Sequence, residues 1–353
     1  MKLQGAAVAI NGMIFCLLSV VSAAEARRFY QLESALTIKS ATQPSWDYLA
    51  FDSVHHYLYI SRHQDGILLY DTKARALKGV IENTAGGNAT TLVAEFDLGY
   101  VTNEDGSLTQ FQLSTQKFLQ RRVVGKSADN SIYDPTTKQL LVTMGDDSLV
   151  TFVDARSVKI TGTLRLDSEK IEGAVADGEG HYFVALRDRD KIAKLDARAH
   201  TLIAEYKPGA CVQPNGLAFD AANRRLLITC RGGHPVLAVM DMSGRTLSTA
   251  PIGRGNDTVL FDPLARRVYT SNGIDATLVI LDQVDANTYR LSEAATTRPY
   301  ARTMALDPVT HKVYLVCAEG TVDPSREWKK NVAPFYPNKY FLNSFTLLTY
   351  SQQ

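Results

Sequence analysis

From about position 49 to its end the chain runs in short stretches that alternate apolar and polar residues with period two, each stopped by turn residues. The stretch "FDLGYVTNEDGSLTQFQLS" (96–114) is representative: an apolar run ends in Asn103, turns through Glu104-Asp105-Gly106, and resumes with Leu108, Gln110 and Gln112 alternating. That pattern predicts a β-hairpin. No stretch carries a convincing helical period, so the expected fold class is all-β. The hairpin recurs. Aligning on an acidic residue that follows an apolar triplet and precedes a turn gives anchors at Asp52, Glu95, Asp134, Asp177, Asp220, Asp262 and Asp307, spaced 39 to 45 residues apart. Each anchor is followed by a second strand, a third such as "GILLYD" (66–71) or "ATLVILD" (276–282), and in most repeats a fourth such as "TLIAEY" (201–206). Such a unit cannot bury both of its faces alone. A period of this length therefore predicts a seven-bladed β-propeller with four-stranded antiparallel blades.

The seventh repeat runs out after "NSFTLLTYS" (343–351), one strand short. The stretch "YQLESALTI" (30–38) precedes the first anchor and belongs to no complete repeat. It is expected to pair with the last blade and close the ring, because an open final edge would invite aggregation.

The tetrapeptide Tyr100-Val101-Thr102-Asn103 has degenerate copies in "YLYIS", "RVYTS" and "KVYLV" at equivalent places. With the repeat period, this resembles the YVTN family of seven-bladed propellers, exported bacterial proteins also called surface-layer-type propellers. The resemblance spans the chain after its first residues. It implies a strand pattern that specifies a blade and carries no chemistry of its own.

The chain has 353 residues, and its 38 Lys and Arg nearly balance its 37 Asp and Glu, so no bulk field favours nucleic acid or an anionic membrane. Residues 1–26 place Lys2 ahead of an apolar segment, with Ala23, Ala24 and Ala26 behind it. They read as a secretory signal, with a periplasmic or secreted propeller over 27–353 and no later membrane span. Beyond the signal remain Cys211, Cys230 and Cys317. Cys211 and Cys230 flank the two inner strands of one blade at the same end, which predicts a disulfide, with Cys317 left as a buried thiol.

Function in a propeller sits where loops converge on the axis. Five residues before the anchors stand Asp47, Thr90, Asp129, Glu172, Asn215, Asp257 and Arg302, every one polar, with Asn130, Gln213 and Asn256 adjoining. Such a ring can hold a hard cation through oxygen ligands, or can be ordinary solvated loop. The contexts "EGAV", "PNGLAFD" and "NDTVLFD" are similar to segments of the regucalcin and gluconolactonase propellers that present a metal-binding Glu, Asn and Asp. That similarity implies Glu172, Asn215 and Asp257 as ligands, with calcium as the cofactor. The loops after the second strands add Arg62, His63, Arg187, Arg231 and His234 to the same end, and Arg254 lies with Arg302 in the loops leading into first strands. Together with Asp129 they outline a mixed pocket suited to an anionic ligand in arginine forks, or a set of exposed ion pairs.

No HExxH, CxxC, Gly-x-Ser-x-Gly or phosphate-loop motif occurs. The segment "TVDPSREWKKNVAPFYPNKYF" (321–341) replaces a short turn and is expected to fold over the same end. The leading expectation is an exported binding or scaffold propeller that takes a small ligand, a peptide or a partner protein on one end face. The alternative is a calcium-dependent lactone hydrolase with Asp129 or His63 as base. Binding of single-stranded nucleic acid comes third.

Overall fold

The computed structural model describes residues 29–40, 42–145, 147–326 and 337–353. The proposed signal (1–26), and Trp328, Phe335 and Tyr336 within the long insertion, lie outside the described residues. The described residues form seven four-stranded antiparallel sheets and one two-stranded ribbon, and in six of the seven the strands follow one another in sequence order. Blade 1, for example, runs Leu49–Asp52, Tyr57–Ser61, Ile67–Asp71 and Ala76–Val80 from axis to rim. Innermost strands pack against their neighbours all the way round, from blade 1 through blade 7 and back to blade 1. Among the described residues helix is limited to two single 3-10 turns, Ala94–Phe96 and Arg187–Arg189, and no helix is long and apolar enough to cross a membrane.

Closure follows the expected route. In blade 7 the strand Tyr30–Thr37 lies outermost, antiparallel to Thr346–Gln352, with Leu36 opposite Leu347 and a bulge between Leu32 and Ser34. Tyr30 fastens it: its hydroxyl donates to the His311 carbonyl at 2.7 Å and lies 2.9 Å from the Tyr269 hydroxyl of blade 6. The first and last strands of the chain are thereby tied to each other and to the preceding blade.

Burial explains the sequence pattern strand by strand. Second strands are packed on both faces, as in Leu140, Leu141, Val142 and Met144, whereas rim strands such as Ala76–Val80 are exposed throughout. The anchor aspartates are turn caps. Asp52 Oδ1 accepts the N–H groups of Val54 and His55 at 2.8 and 3.1 Å, and Asp262 Oδ1 accepts those of Leu264 and Ala265 at 2.9 and 3.0 Å. An Asp side chain reaches back to the N–H groups two and three residues on, so the same residue type recurs at each turn. Glu95 departs from this role. It sits in the 3-10 turn and receives Lys138 at 2.7 Å, and its longer side chain accepts no turn N–H.

The YVTN stretch is structural, as expected of a strand motif. Tyr100, Val101, Thr102 and Asn103 are all fully buried. The Asn103 amide donates to the Val101 and Ser107 carbonyls at 3.2 and 3.1 Å, clamping the two strands of its hairpin, and Asn272 repeats the clamp in blade 6 on Thr270 and Thr277. Cys211 and Cys230 form the expected disulfide, with Cα atoms 5.2 Å apart, and Cys317 is a buried free thiol. Of the insertion, Gly320–Thr321 pairs with Lys339–Tyr340, and the Tyr340 ring packs edge-on against Trp46 at 5.0 Å.

Candidate functional site at the axial mouth

The polar ring read from the sequence does converge. First strands of neighbouring blades approach closely here because glycine follows two of the ring residues: a Cβ on Gly173 would stand 2.4 Å from the Asn215 carbonyl, and one on Gly216 would stand 3.2 Å from the Asp257 carbonyl. β-Bulges fall at the same points, between Ile171 and Ala174, Pro214 and Leu217, and Asn256 and Val259. A bulge re-aims side chains that strict alternation would send into the blade. Glu172, Asn215 and Asp257 are the residues so redirected.

Charges pair across blades. Arg187 Nη1 donates to Glu172 Oε1 at 2.6 Å within blade 4. Asp257 of blade 6 receives Arg231 of blade 5 on Oδ1 and Arg302 of blade 7 on Oδ2, both at 2.5 Å. Arg231 also lies 3.4 Å from the Asn215 amide oxygen, and Arg302 donates through Nη2 to the Trp46 carbonyl at 3.1 Å. These contacts run without a break from blade 5 to blade 1, and the Arg187–Glu172 pair of blade 4 is coupled to Asp257 and Arg231 through space.

Asp47, on the blade 1 wall of the mouth, is half-buried and its carboxylate accepts no hydrogen bond among the described residues. Burial pushes its pKa up to about 6, the positive charges of Arg302 and His63 pulling the other way and the carboxylates of Asp257 and Glu172 adding to the rise. Glu172 is raised by the same burial, opposed first by Arg187. Tyr48 is pushed well above the ordinary phenol range by burial and by the surrounding Asp129, Asp47, Glu172 and Asp257. Acids of blades 1, 3, 4 and 6 thus lie within electrostatic reach of one hydroxyl.

The remaining sequence candidates stand apart to differing degrees. His63 pairs with Glu104 at 2.6 Å beside the mouth. Arg62 is fully buried in blade 1, its Nη2 on Asp65 at 2.8 Å and its guanidinium 4.1 Å above the Phe345 ring, where burial lowers its pKa. It works as packing between the first and last blades. Arg254 is exposed and paired with Asp275 at 2.7 Å, and His234 is exposed. Asp129 is half-buried and its backbone carbonyl accepts Thr102 at 2.8 Å.

Calcium is a poor fit to this arrangement. Both oxygens of Asp257 and one of Glu172 are already held by guanidinium groups, and among the described residues no cluster of three or more His, Cys, Asp or Glu side chains is disposed to hold a metal. A cation would have to enter beside three arginines.

Sequence reasoning passed over Tyr48 and Trp46. A signal for Tyr48 existed: the positions four before the other anchors hold Thr91, Asn130, Gly173, Gly216, Thr258 and Thr303, so one bulky ring stands among six small residues.

The fold and mouth define a seven-bladed β-propeller with a charged axial opening. Similar architecture occurs in a chain of a crystal structure of the mitotic checkpoint complex, with TM-score 0.71 at 10% identity over 99% of this chain and 98% of that one. The WD40 repeats of RRP9 give 0.72 at 10% identity over 92% and 100%, and the hydrazine synthase of Kuenenia stuttgartiensis gives 0.66 at 11% over 79% and 94%. Such similarity extends to 1820 solved chains and therefore identifies the architecture alone. No protein-family model and no curated protein matches the sequence.

Proposed function

We propose that the protein is an exported propeller of the YVTN type, released to the periplasm or the medium after loss of residues 1–26, that binds a peptide or partner protein at the axial mouth. A small charged ligand is the lesser form of the same reading. One observation carries it: ion pairs made by three arginines and two carboxylates are already assembled at the mouth, and among them stands Asp47, whose carboxylate no described side chain satisfies and which feels Arg302, Asp257 and Glu172. Fixed charges of both signs at a narrow opening suit a ligand that carries both signs, such as a chain terminus or a charged loop. No metal enters this reading, and the lactone hydrolase alternative gains no support from a donor set already occupied by guanidinium groups.

The test is capture from the envelope fraction of the producing cell by the wild-type protein and by an Asp47→Asn/Arg231→Gln double variant with matched melting behaviour. Partners held by the wild type and missing from the variant support the reading. Identical captures, or none, defeat it.

A further inference from the structure

The opposite end of the propeller differs in kind from the charged mouth. There the turn after each first strand projects one residue, two positions past the anchor. In blades 6, 7 and 1 these residues are Leu264, Val309 and Val54, exposed by 76%, 67% and 65%. In blades 3, 4 and 5 the same position holds Thr136, Glu179 and Ala222. Blades 6, 7 and 1 are consecutive around the ring, since their first strands pack in that order. The three tips are also fixed: the backbone N–H of each donates to its own anchor, at 2.9 Å for Leu264 on Asp262, 2.9 Å for Val309 on Asp307 and 2.8 Å for Val54 on Asp52.

Beside the tips, the inner strands of these same three blades form an open hollow of about 320 Å³, lined chiefly by Leu49, Phe51, Leu260, Phe261, Met304 and Leu306 and edged by Pro308. Apolar surface left in water at fixed positions round an apolar hollow is uncommon on a chain with no partner. Size alone would admit a small apolar molecule as well as a side chain. The charges decide between them. Two residues after each tip stands a basic residue held at positive φ, namely His56, Arg266 and His311, at 60°, 54° and 57°. The anchor carboxylates below them are buried and accept turn N–H groups, and Asp262 also holds His311 Nδ1 on its Oδ2 at 2.6 Å, while Glu33 and Asp282 nearby are paired with Lys312 and Arg267 at 2.8 and 2.9 Å. This face therefore presents three apolar tips with Arg266 and His56 beside two of them, its neighbouring acids being paired or held on turn N–H groups.

We propose that the crescent formed by Val54, Leu264 and Val309 is a docking surface for an acidic segment of a partner protein, one large apolar side chain of which enters the hollow. A central apolar anchor ringed by charge is how compact interfaces concentrate their affinity. The surface shares no side chain with the axial mouth, so the two sites stand or fall separately.

The test uses dodecapeptides selected by display on the propeller (27–353), then measured against wild type and a Val54→Ser/Leu264→Ser/Val309→Ser variant. Selected peptides are expected to carry Trp, Phe or Leu close to Asp or Glu, to bind more weakly as salt rises, and to lose about tenfold or more on the variant. Replacing their acids by amides should weaken them too. Because the tips are exposed, the variant should melt with the wild type; if it does not, Arg266→Glu alone serves, and should repel the acidic peptides while sparing their amide analogues. No enrichment, or peptides that bind the variant equally, overturns the proposal. So does a wild-type dimer that the variant makes monomeric, which would make the occupant a second copy, or a co-purified apolar small molecule displaced by the substitutions.

Discussion

Arg302 of blade 7 holds Asp257 of blade 6 at 2.5 Å, and with the same guanidinium it donates to the Trp46 carbonyl of blade 1 at 3.1 Å. One side chain thus joins three blades at the mouth. Both partners are largely shielded from water, at 23% and 14% side-chain exposure, so screening is limited. Arg302→Ala is expected to cost about 2 kcal/mol, the range of a hydrogen bond to a charged group. Asp257→Asn should cost more, because it removes the charge that faces two guanidinium groups. Urea unfolding of both variants checks the order, and equal midpoints for wild type and Arg302→Ala would show the contact to be incidental.

Asp47 makes stability depend on pH in an unusual direction. Its folded pKa, about 6, lies above the ordinary 3.8, so the folded state favours the protonated form. The stability linked to that proton is fully present below pH 3.8 and is lost as pH rises through about 6. At about 1.4 kcal/mol per unit, the loss through this group is up to about 3 kcal/mol between pH 4 and 7. Glu172, raised as well, adds in the same sense. Asp47→Asn should flatten the profile and stabilise the protein at pH 7. Parallel curves for variant and wild type would contradict the burial of this carboxylate.

How much of this could be read from the chain depended on how locally each residue's role is determined. An anchor aspartate caps a turn two residues away, so Asp52, Asp262 and Asp307 repeat visibly, whereas Glu95, which caps nothing, was grouped with them by position alone. The ring at the mouth was legible as composition, seven polar residues at one offset. Its pairing was not, because the bulges at Glu172, Asn215 and Asp257 and the close approach through Gly173 and Gly216 are tertiary facts that alternation does not encode. The similarity of those three positions to a metal-binding triad arose from the same local sequence. Only the arginines that hold Glu172 and Asp257 distinguish the two.

Metal removal separates those outcomes. With Glu172 and Asp257 engaged by Arg187, Arg231 and Arg302, the melting temperature should be the same in EDTA and in millimolar calcium. A site filled at a hundred times its Kd would stabilise by about 2.7 kcal/mol, a shift easily seen. Such a shift, abolished by Glu172→Gln, would restore the calcium reading.

Tyr30 offers the most direct test of how the ring is held shut. Its strand is the outermost of blade 7, and its hydroxyl bonds both the His311 carbonyl of that blade and the Tyr269 hydroxyl of the previous one, at 2.7 and 2.9 Å. Removing the hydroxyl alone, Tyr30→Phe, leaves the buried Tyr269 hydroxyl and the part-buried His311 carbonyl short of a partner and should cost about 1 to 3 kcal/mol. Removing the strand, residues 29–37, is a different perturbation. It leaves Thr346–Gln352 as an unpaired edge with its row of free N–H and C=O groups, which is a template for intermolecular pairing. The truncated chain should aggregate at concentrations where Tyr30→Phe stays monomeric, and a synthetic peptide of residues 29–38 added in excess should suppress that aggregation. Light scattering with and without the peptide reads the result directly, and a truncated chain that remains monomeric and melts with the wild type would mean that the ring is closed by blade-to-blade packing alone.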